Sequence, residues 1–324
     1  SAPVTISFMS REFALLANSL LLLVAAASIL LGTLYPLVLE ILDLGKVSVG
    51  APYFESVFVP LIIPVVFLCG IGPLLSWRYA RVRGAFAARL ASLFALAAMM
   101  VSAFFSGRWG PLYLLGVLAG AWSVVAACAS LVISMRAAAR SQPRRVLWGR
   151  VSRAQCGMML AHAGLGIFIL GVTFVKVFEV ERDVRLAVGE STSVADFSFR
   201  LERELRISGA NFEGQRVLIG VYCEGQPCAV MAPEKRIYNV QRSAMSETAI
   251  DSDFRRDLYV SLGDRLSDGS WTMRIHVKPL ISWIWWGCLI MALGGLLSVS
   301  DRRYRFDNST SRTNVETTSS LGAV

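Results

Sequence analysis

Six apolar runs, most of them about as long as a bilayer is thick, leave this 324-residue chain few folds to choose from. They cover residues 13–39, 57–75, 90–105, 112–134, 156–177 and 281–299. Inside hydrocarbon each run must satisfy its own backbone hydrogen bonds, so each is expected as a transmembrane helix. The composition, 55% hydrophobic and 17% charged, is too apolar for an ordinary soluble domain. The first run is too long for a cleavable signal peptide and lacks a clear small-residue cleavage site.

Arginine placement orients these spans. Arg78, Arg81, Arg83 and Arg89 follow the second; Arg136, Arg140, Arg144, Arg145, Arg150 and Arg153 follow the fourth; Arg302, Arg303 and Arg305 follow the last. With six alternating spans all three groups share one side, which the positive-inside rule makes the cytoplasm or the mitochondrial matrix. Residues 178–278 differ in kind, with 14 basic and 16 acidic side chains, against 18 basic and 7 acidic elsewhere. The overall charge of +9 therefore reflects topology, and nucleic acid is a poor explanation for it.

This polar insert reads as β. Alternating runs at 183–186, 197–201, 216–222, 229–231, 257–262 and 271–277 are broken by turn signals such as Glu224-Gly225 and Asp268-Gly269. The expected fold is an α-helical integral membrane protein with six transmembrane helices and an inserted periplasmic all-β domain, a small barrel or sandwich. Residues 1–177 form the five-helix membrane domain, 178–280 the exported domain, 281–299 the sixth helix and 300–324 a cytoplasmic tail.

Of the two histidines, His162 falls inside the fifth span, where an ionisable side chain costs a few kcal/mol unless partnered. Its neighbours are small (Ala161, Ala163, Gly164), with Gly166 on its own helical face and Met158 and Met159 one turn back. Two readings stand: a histidine bonded to a neighbouring helix, with Gly166 for close packing, or a ligand for a bulky planar cofactor or an ion. Its depth, roughly 10 Å from the cytoplasmic end, suits an electron-relay or structural haem better than a base acting on exported protein. His276 alternates onto the polar face of a strand, where a solvated or loosely hydrogen-bonded histidine is the default.

Cys69, Cys128, Cys156 and Cys288 lie singly in apolar spans as small core residues, whereas Cys223 and Cys228 flank a turn and are spaced for a hairpin disulfide in an oxidising compartment. Neither pattern is a metal framework or a C-x-x-C-H haem attachment site. Trp283, Trp285 and Trp286 open the sixth span, as headgroup-level anchors or as a shelf for a flat apolar ligand. The charged runs 181–185, 233–236 and 247–257 read as solvated faces with local ion pairs of small value, or as a docking surface.

Several ordered blocks then carry a resemblance: SREFALLANSLLL, LLGTLYPLVLEILDLGKVSVGAPYF, AHAGLGIFILGVTFVKVFEVERDVRLAVGES, PEKRIYNV, ETAIDSDFRRDLYVSLGD and KPLISWIWWGCLIMALGGLLSVSDRRYR. From about residue 10 to 305 the chain resembles the C-terminal half of the CcmF family, the large subunit of the system I cytochrome c haem lyase. The resemblance implies a protein that takes haem from a periplasmic haem chaperone and attaches it to apocytochrome c. It implies a haem b in the membrane held by histidines on two helices, one of them matching His162 within Ala161-His162-Ala163-Gly164. The small neighbours of His162, Gly166 included, would then clear space for the macrocycle. Arg153, at the foot of the same helix, is a candidate propionate or lipid-headgroup contact.

The family's tryptophan-rich periplasmic motif, its two periplasmic haem histidines and its second membrane histidine have no counterpart in this sequence. The chain is therefore expected to work beside an N-terminal half or split-gene partner, an accessory lyase subunit, the haem chaperone and apocytochrome c. Its expected place is the lipid bilayer of a bacterial or mitochondrial inner membrane. The rival readings are a proton-coupled transporter subunit and a membrane-anchored scaffold with an exported docking domain.

Overall fold

The computed structural model describes residues 10–75, 85–141, 151–240 and 242–301. Arg78, Arg81, Arg83, Arg144, Arg145, Arg150, Arg302, Arg303 and Arg305, which carry much of the orientation argument, lie outside these residues, as does the Ser/Thr-rich tail. The chain divides into two compact units, Ser1–Leu170 with Trp286–Val324, and Gly171–Trp285.

Among the described residues six helices, α1 (Arg11–Ile41), α2 (Ala51–Ile71), α3 (Ala85–Ser106), α4 (Pro111–Ser141), α5 (Arg153–Phe178) and α6 (Ile281–Val299), are long and apolar enough to cross a membrane. Most extend beyond the apolar runs, because polar residues at bilayer ends continue a helix as readily as apolar ones. Ser10 starts α1 by accepting the Phe13 N–H at 3.2 Å. The Tyr53 hydroxyl ties α2 to α1 by donating to the Ser28 carbonyl at 3.0 Å. Trp122 of α4 donates its indole N–H to the Phe67 carbonyl of α2 at 3.3 Å, within a small cluster of Leu74, Ala91, Ala95 and Ala126.

Helix α5 is packed by glycine on two sides. A Cβ at Gly164 would lie 2.8 Å from the Gly287 carbonyl oxygen and the Met291 nitrogen of α6. One at Gly166 would lie 2.6 Å from Val124 and 2.7 Å from the Gly120 carbonyl of α4. Backbone atoms cannot swing aside as a flexible side chain can, so any larger residue forces the helices apart.

Among the described residues the second unit holds ten antiparallel strands in two sheets, a sandwich rather than a closed barrel. One sheet has the order β1-β10-β9-β8 and the other β2-β3-β4-β6-β7, with β5 also paired to β4. The strands are β1 (Val180–Leu186), β2 (Ser191–Val194), β3 (Phe197–Ser208), β4 (Phe212–Cys223), β5 (Gln226–Met231), β6 (Glu234–Tyr238), β7 (Ala244–Glu247), β8 (Ala249–Ser252), β9 (Arg256–Arg265) and β10 (Trp271–Pro279). Alternate residues of the long strands, among them Phe199, Leu201, Val217, Ile219, Leu258, Val260, Met273 and Ile275, fill the core between the sheets. The β4–β5 hairpin turns at Glu224 and Gly225, both at positive φ, and Cys223 and Cys228 form a disulfide beside it.

Two glycines of the helical unit should respond oppositely to alanine. Gly164→Ala is expected to destabilise the purified chain by about 1–3 kcal/mol. Gly295→Ala, whose Cβ meets nothing within 4 Å, should be neutral or stabilising by up to about 1 kcal/mol. Thermal unfolding in detergent checks both.

Candidate functional site

His162 is the tenth residue of α5, one helical turn deeper than the apolar run alone implied, because the helix begins at Arg153. Its ring Nδ1 lies 2.7 Å from the Met158 carbonyl oxygen. A carbonyl can only accept, so Nδ1 carries the proton and Nε2 keeps its lone pair in the neutral ring. Ser123 of α4, fully buried, donates its hydroxyl to the His162 carbonyl at 2.8 Å and fixes this turn of α5 against α4.

His162 packs beside Cys69, Gly70, Ala127, Ser130 and Met159, which leave no room between them even for a water molecule. Small-molecule sites start at roughly 300 Å³, so a macrocycle has no room among these residues. The Ser130 hydroxyl, buried and facing this group of residues, has no hydrogen-bond partner among the described residues. Gly166 does not clear the space beside His162 for a planar ligand, as the sequence suggested; α4 already fills it. Arg153 is exposed in the first turn of α5, nine residues before His162. At 1.5 Å and 100° per residue that is roughly 13 Å away and on the opposite face.

In the β unit the charged runs form the ion pairs the sequence suggested, and strand register orders them. Glu181 of β1 sits opposite His276 of β10 and Asp183 opposite Arg274. Glu179 binds both His276 Nδ1 at 3.2 Å and Lys278 Nζ at 3.0 Å. His276 is only 14% exposed and meets the Tyr259 ring edge-on, so it is held rather than loosely solvated. Burial alone would raise the Glu179 pKa, but the Lys278 and His276 contacts outweigh it and hold the carboxyl below its usual value. Glu179, Glu181 and His276 place ligand atoms within 4.8 Å of one another. Lys278 and Arg274 already neutralise this acidic column, which argues for cross-strand pairing rather than a metal centre.

The run Pro233–Arg236 hides a buried charge. Glu234 is 6% exposed and accepts from Arg216 at 2.6 Å and Arg236 at 2.7 Å. Beyond the apolar core, the inward positions of the six-stranded sheet turn polar. Arg206, Gln215 and Lys235 share one cross-strand row and line an open groove of about 730 Å³ with Asp264, Arg265 and Trp271. The buried Trp271 indole N–H has no partner among the described residues.

The family model for the CcmF C-terminal β-sandwich matches residues 177–279. The cytochrome c-type biogenesis protein CcmF of Haemophilus influenzae is 40% identical over 301 residues, covering 92% of this chain and 46% of that protein. Its Escherichia coli counterpart is 38% identical over 299 residues, covering 91% and 44%. The chain belongs to the CcmF family and corresponds to its C-terminal half. A solved structure of the cytochrome c heme lyase CcmF shares the fold, with a TM-score of 0.71 at 22% identity over 91% of this chain and 46% of that one. The chain thus spans about half the length of the curated CcmF relatives it matches.

The CcmF sandwich carries a pH dependence of known sign. Burial would raise the Glu234 pKa, but hydrogen bonds from Arg236 and Arg216 outweigh it and lower the value. A carboxylate with a lowered folded pKa stabilises the fold above its unfolded value and loses that contribution as pH falls through the lowered one. The thermal midpoint of the β unit should therefore fall as pH drops below about 4.5, the usual glutamate value. Glu234→Gln should cost about 1–2 kcal/mol at neutral pH and flatten part of that acid limb, read by circular dichroism melts.

Proposed function

We propose that this chain is the C-terminal half of a haem lyase that matures cytochromes c, with His162 as one axial ligand of a haem b held in the membrane. The observation that carries the ligand assignment is the bond from His162 Nδ1 to the Met158 carbonyl, which leaves Nε2 free to donate to a metal. Metal-ligating histidines are oriented in this way, with the second ring nitrogen given to a backbone carbonyl or a carboxylate. Relatives named for cytochrome c biogenesis, and a heme lyase of the same fold, support the process. A bound haem b would supply a one-electron redox centre.

The residues of this chain contribute a donor and its orientation: Met158 sets the tautomer, Ser123 holds the helical turn, and the α4 packing at Gly166 fixes which way α5 faces. They do not enclose a macrocycle, so a second polypeptide, the N-terminal half or a split-gene partner, completes the site and supplies the second ligand. Arg153, on the opposite face of α5, is left to lipid headgroups. The β-sandwich is read as periplasmic above a bacterial inner membrane, where the Cys223–Cys228 disulfide is at home. Its polar groove is offered to a partner polypeptide, whether haem chaperone, accessory lyase subunit or apocytochrome c.

The proton-relay alternative needs acids deep in the membrane. Among the described residues Glu12, Glu40 and Glu55 are the acids of the six helices, all within two turns of an end.

The deciding experiment purifies the chain with its N-terminal partner and records the reduced spectrum. A b-type α-band is expected, and His162→Ala should remove most of it while yield and helical content hold. An unchanged band would sink the ligand assignment; no haem in the intact pair would favour a scaffold.

A further inference from the structure

The turn between β8 and β9 is fastened to the start of α6, and three contacts define the junction. The Leu280 N–H donates to the Arg255 carbonyl at 2.8 Å, and the Ser282 hydroxyl donates to the Asp253 carbonyl at 2.8 Å. The Phe254 ring lies 5.8 Å from that of Trp283, centroid to centroid. Leu280 itself adopts φ +56°, a left-handed conformation that costs a branched side chain about 1–2 kcal/mol. A leucine persists there only because the surrounding contacts hold it, so the clamp is a built feature rather than a chance approach of a loop.

The clamp has a consequence for depth. Ile281 is the first residue of a membrane-spanning helix, so the turn fastened to residues 280–283 lies level with the bilayer surface. At that level the turn presents Phe254, 61% exposed, where an exposed turn is expected to be polar. The side chains of Trp285 and Trp286 are exposed in the same first turns of α6, whereas Trp283 packs onto Phe254 and its indole N–H is buried. Arg255, next to Phe254, is exposed and makes no ion pair with a carboxylate among the described residues. Asp253, the acid beside it, is spent on the turn itself: its Oδ1 accepts the backbone N–H groups of Arg255 and Arg256 at 2.5 and 2.9 Å.

We infer that the β8–β9 turn is a membrane-interface anchor: Phe254 inserts among the upper acyl chains beside Trp285, and Arg255 contacts lipid phosphates. An aromatic tip beside a cation, held at headgroup depth, is the chemistry that interfaces select. The partner is the phospholipid surface, and the assignment is independent of the haem reading, since it needs only α6 to span a bilayer. It gives the sandwich a second attachment, so the domain is tethered by its strand termini and also seated by one turn.

Site-directed spin labelling of the full chain tests this in vesicles of phosphatidylcholine and phosphatidylglycerol, with Cys69, Cys128, Cys156 and Cys288 replaced by alanine. One label goes at Arg255→Cys, which keeps Phe254. The other goes at Val188→Cys, in the turn after β1 at the opposite end of that strand from α5. The ratio of relaxation by dissolved oxygen to relaxation by a water-soluble nickel chelate should be several-fold higher at position 255. Phe254→Asp should lower it toward the value at 188, whereas Phe254→Leu should preserve it. Equal ratios at the two positions would overturn the anchor, and a ratio at 255 indifferent to Phe254→Asp would overturn Phe254 as the inserted group.

Discussion

Backbone-to-backbone contact along α5 is the constraint from which the helical unit follows. Gly164 meets α6 and Gly166 meets α4, so two neighbouring helices approach to distances that a single methyl group would prevent. In hydrocarbon there is no hydrophobic gain from bringing apolar helices together, and such close approach supplies the packing energy instead. It also removes freedom: a helix wedged on two sides cannot rotate to present another face. The direction of His162 is thus decided by residues two and four positions away, before any bond to its ring is counted. Ser123 then adds a hydrogen bond at the same turn, where a slip of α5 along α4 would leave its buried hydroxyl unpaired.

The β-sandwich uses charge in the way the helices use glycine. Glu234 is buried between two arginines, and the column Glu179, Glu181, Asp183 faces the column Lys278, His276, Arg274. Each pair at the surface is worth little alone. Together they set register, because a one-residue slip of β1 against β10 would send every charge to the core face. That register leads into α6, since β10 passes directly through Pro279 and Leu280 into the helix. The clamp by the β8–β9 turn and the ladder on β10 therefore act on the same short junction.

Much of this was legible in the residues, and the failures share a cause. Long apolar runs announced six helices, and alternation announced β1, β3, β4, β9 and β10. The short strands β2, β6, β7 and β8 went unread because they are too short or too polar to show alternation: Ser191–Val194 carries no apolar residue before Val194, Glu234–Tyr238 looked like a charge run, and β7 and β8 have four residues each. A buried glutamate inside such a run has no signal of its own, since burial comes from Arg216 on a strand far back in the sequence. Gly166 was visible as a small residue beside a histidine, but its use was not. Whether a glycine clears space for a ligand or for another helix depends on which helix lies against it, and that is a tertiary fact. The Cys223–Cys228 pair was open on spacing alone, and the hairpin closed it.

The candidate site is uneven in a way that bears on how the chain works. Its donor is fully prepared, with the Nδ1 proton committed to Met158, the helical turn pinned by Ser123, and α5 unable to rotate. Its enclosure is not, because the residues around it leave no room for a planar cofactor and the glycine face is taken by α4. A neutral imidazole with one nitrogen satisfied leaves one lone pair in a medium that offers it no water, a cost relieved only by a partner atom. A protein that used His162 for structure alone would direct that nitrogen to a neighbouring helix, and no such bond is made among the described residues. Preparation without enclosure is what the proposed half-site would look like. If His162 is a haem ligand as proposed, its orientation is built into this chain, and the wall and the second ligand would come from a second polypeptide.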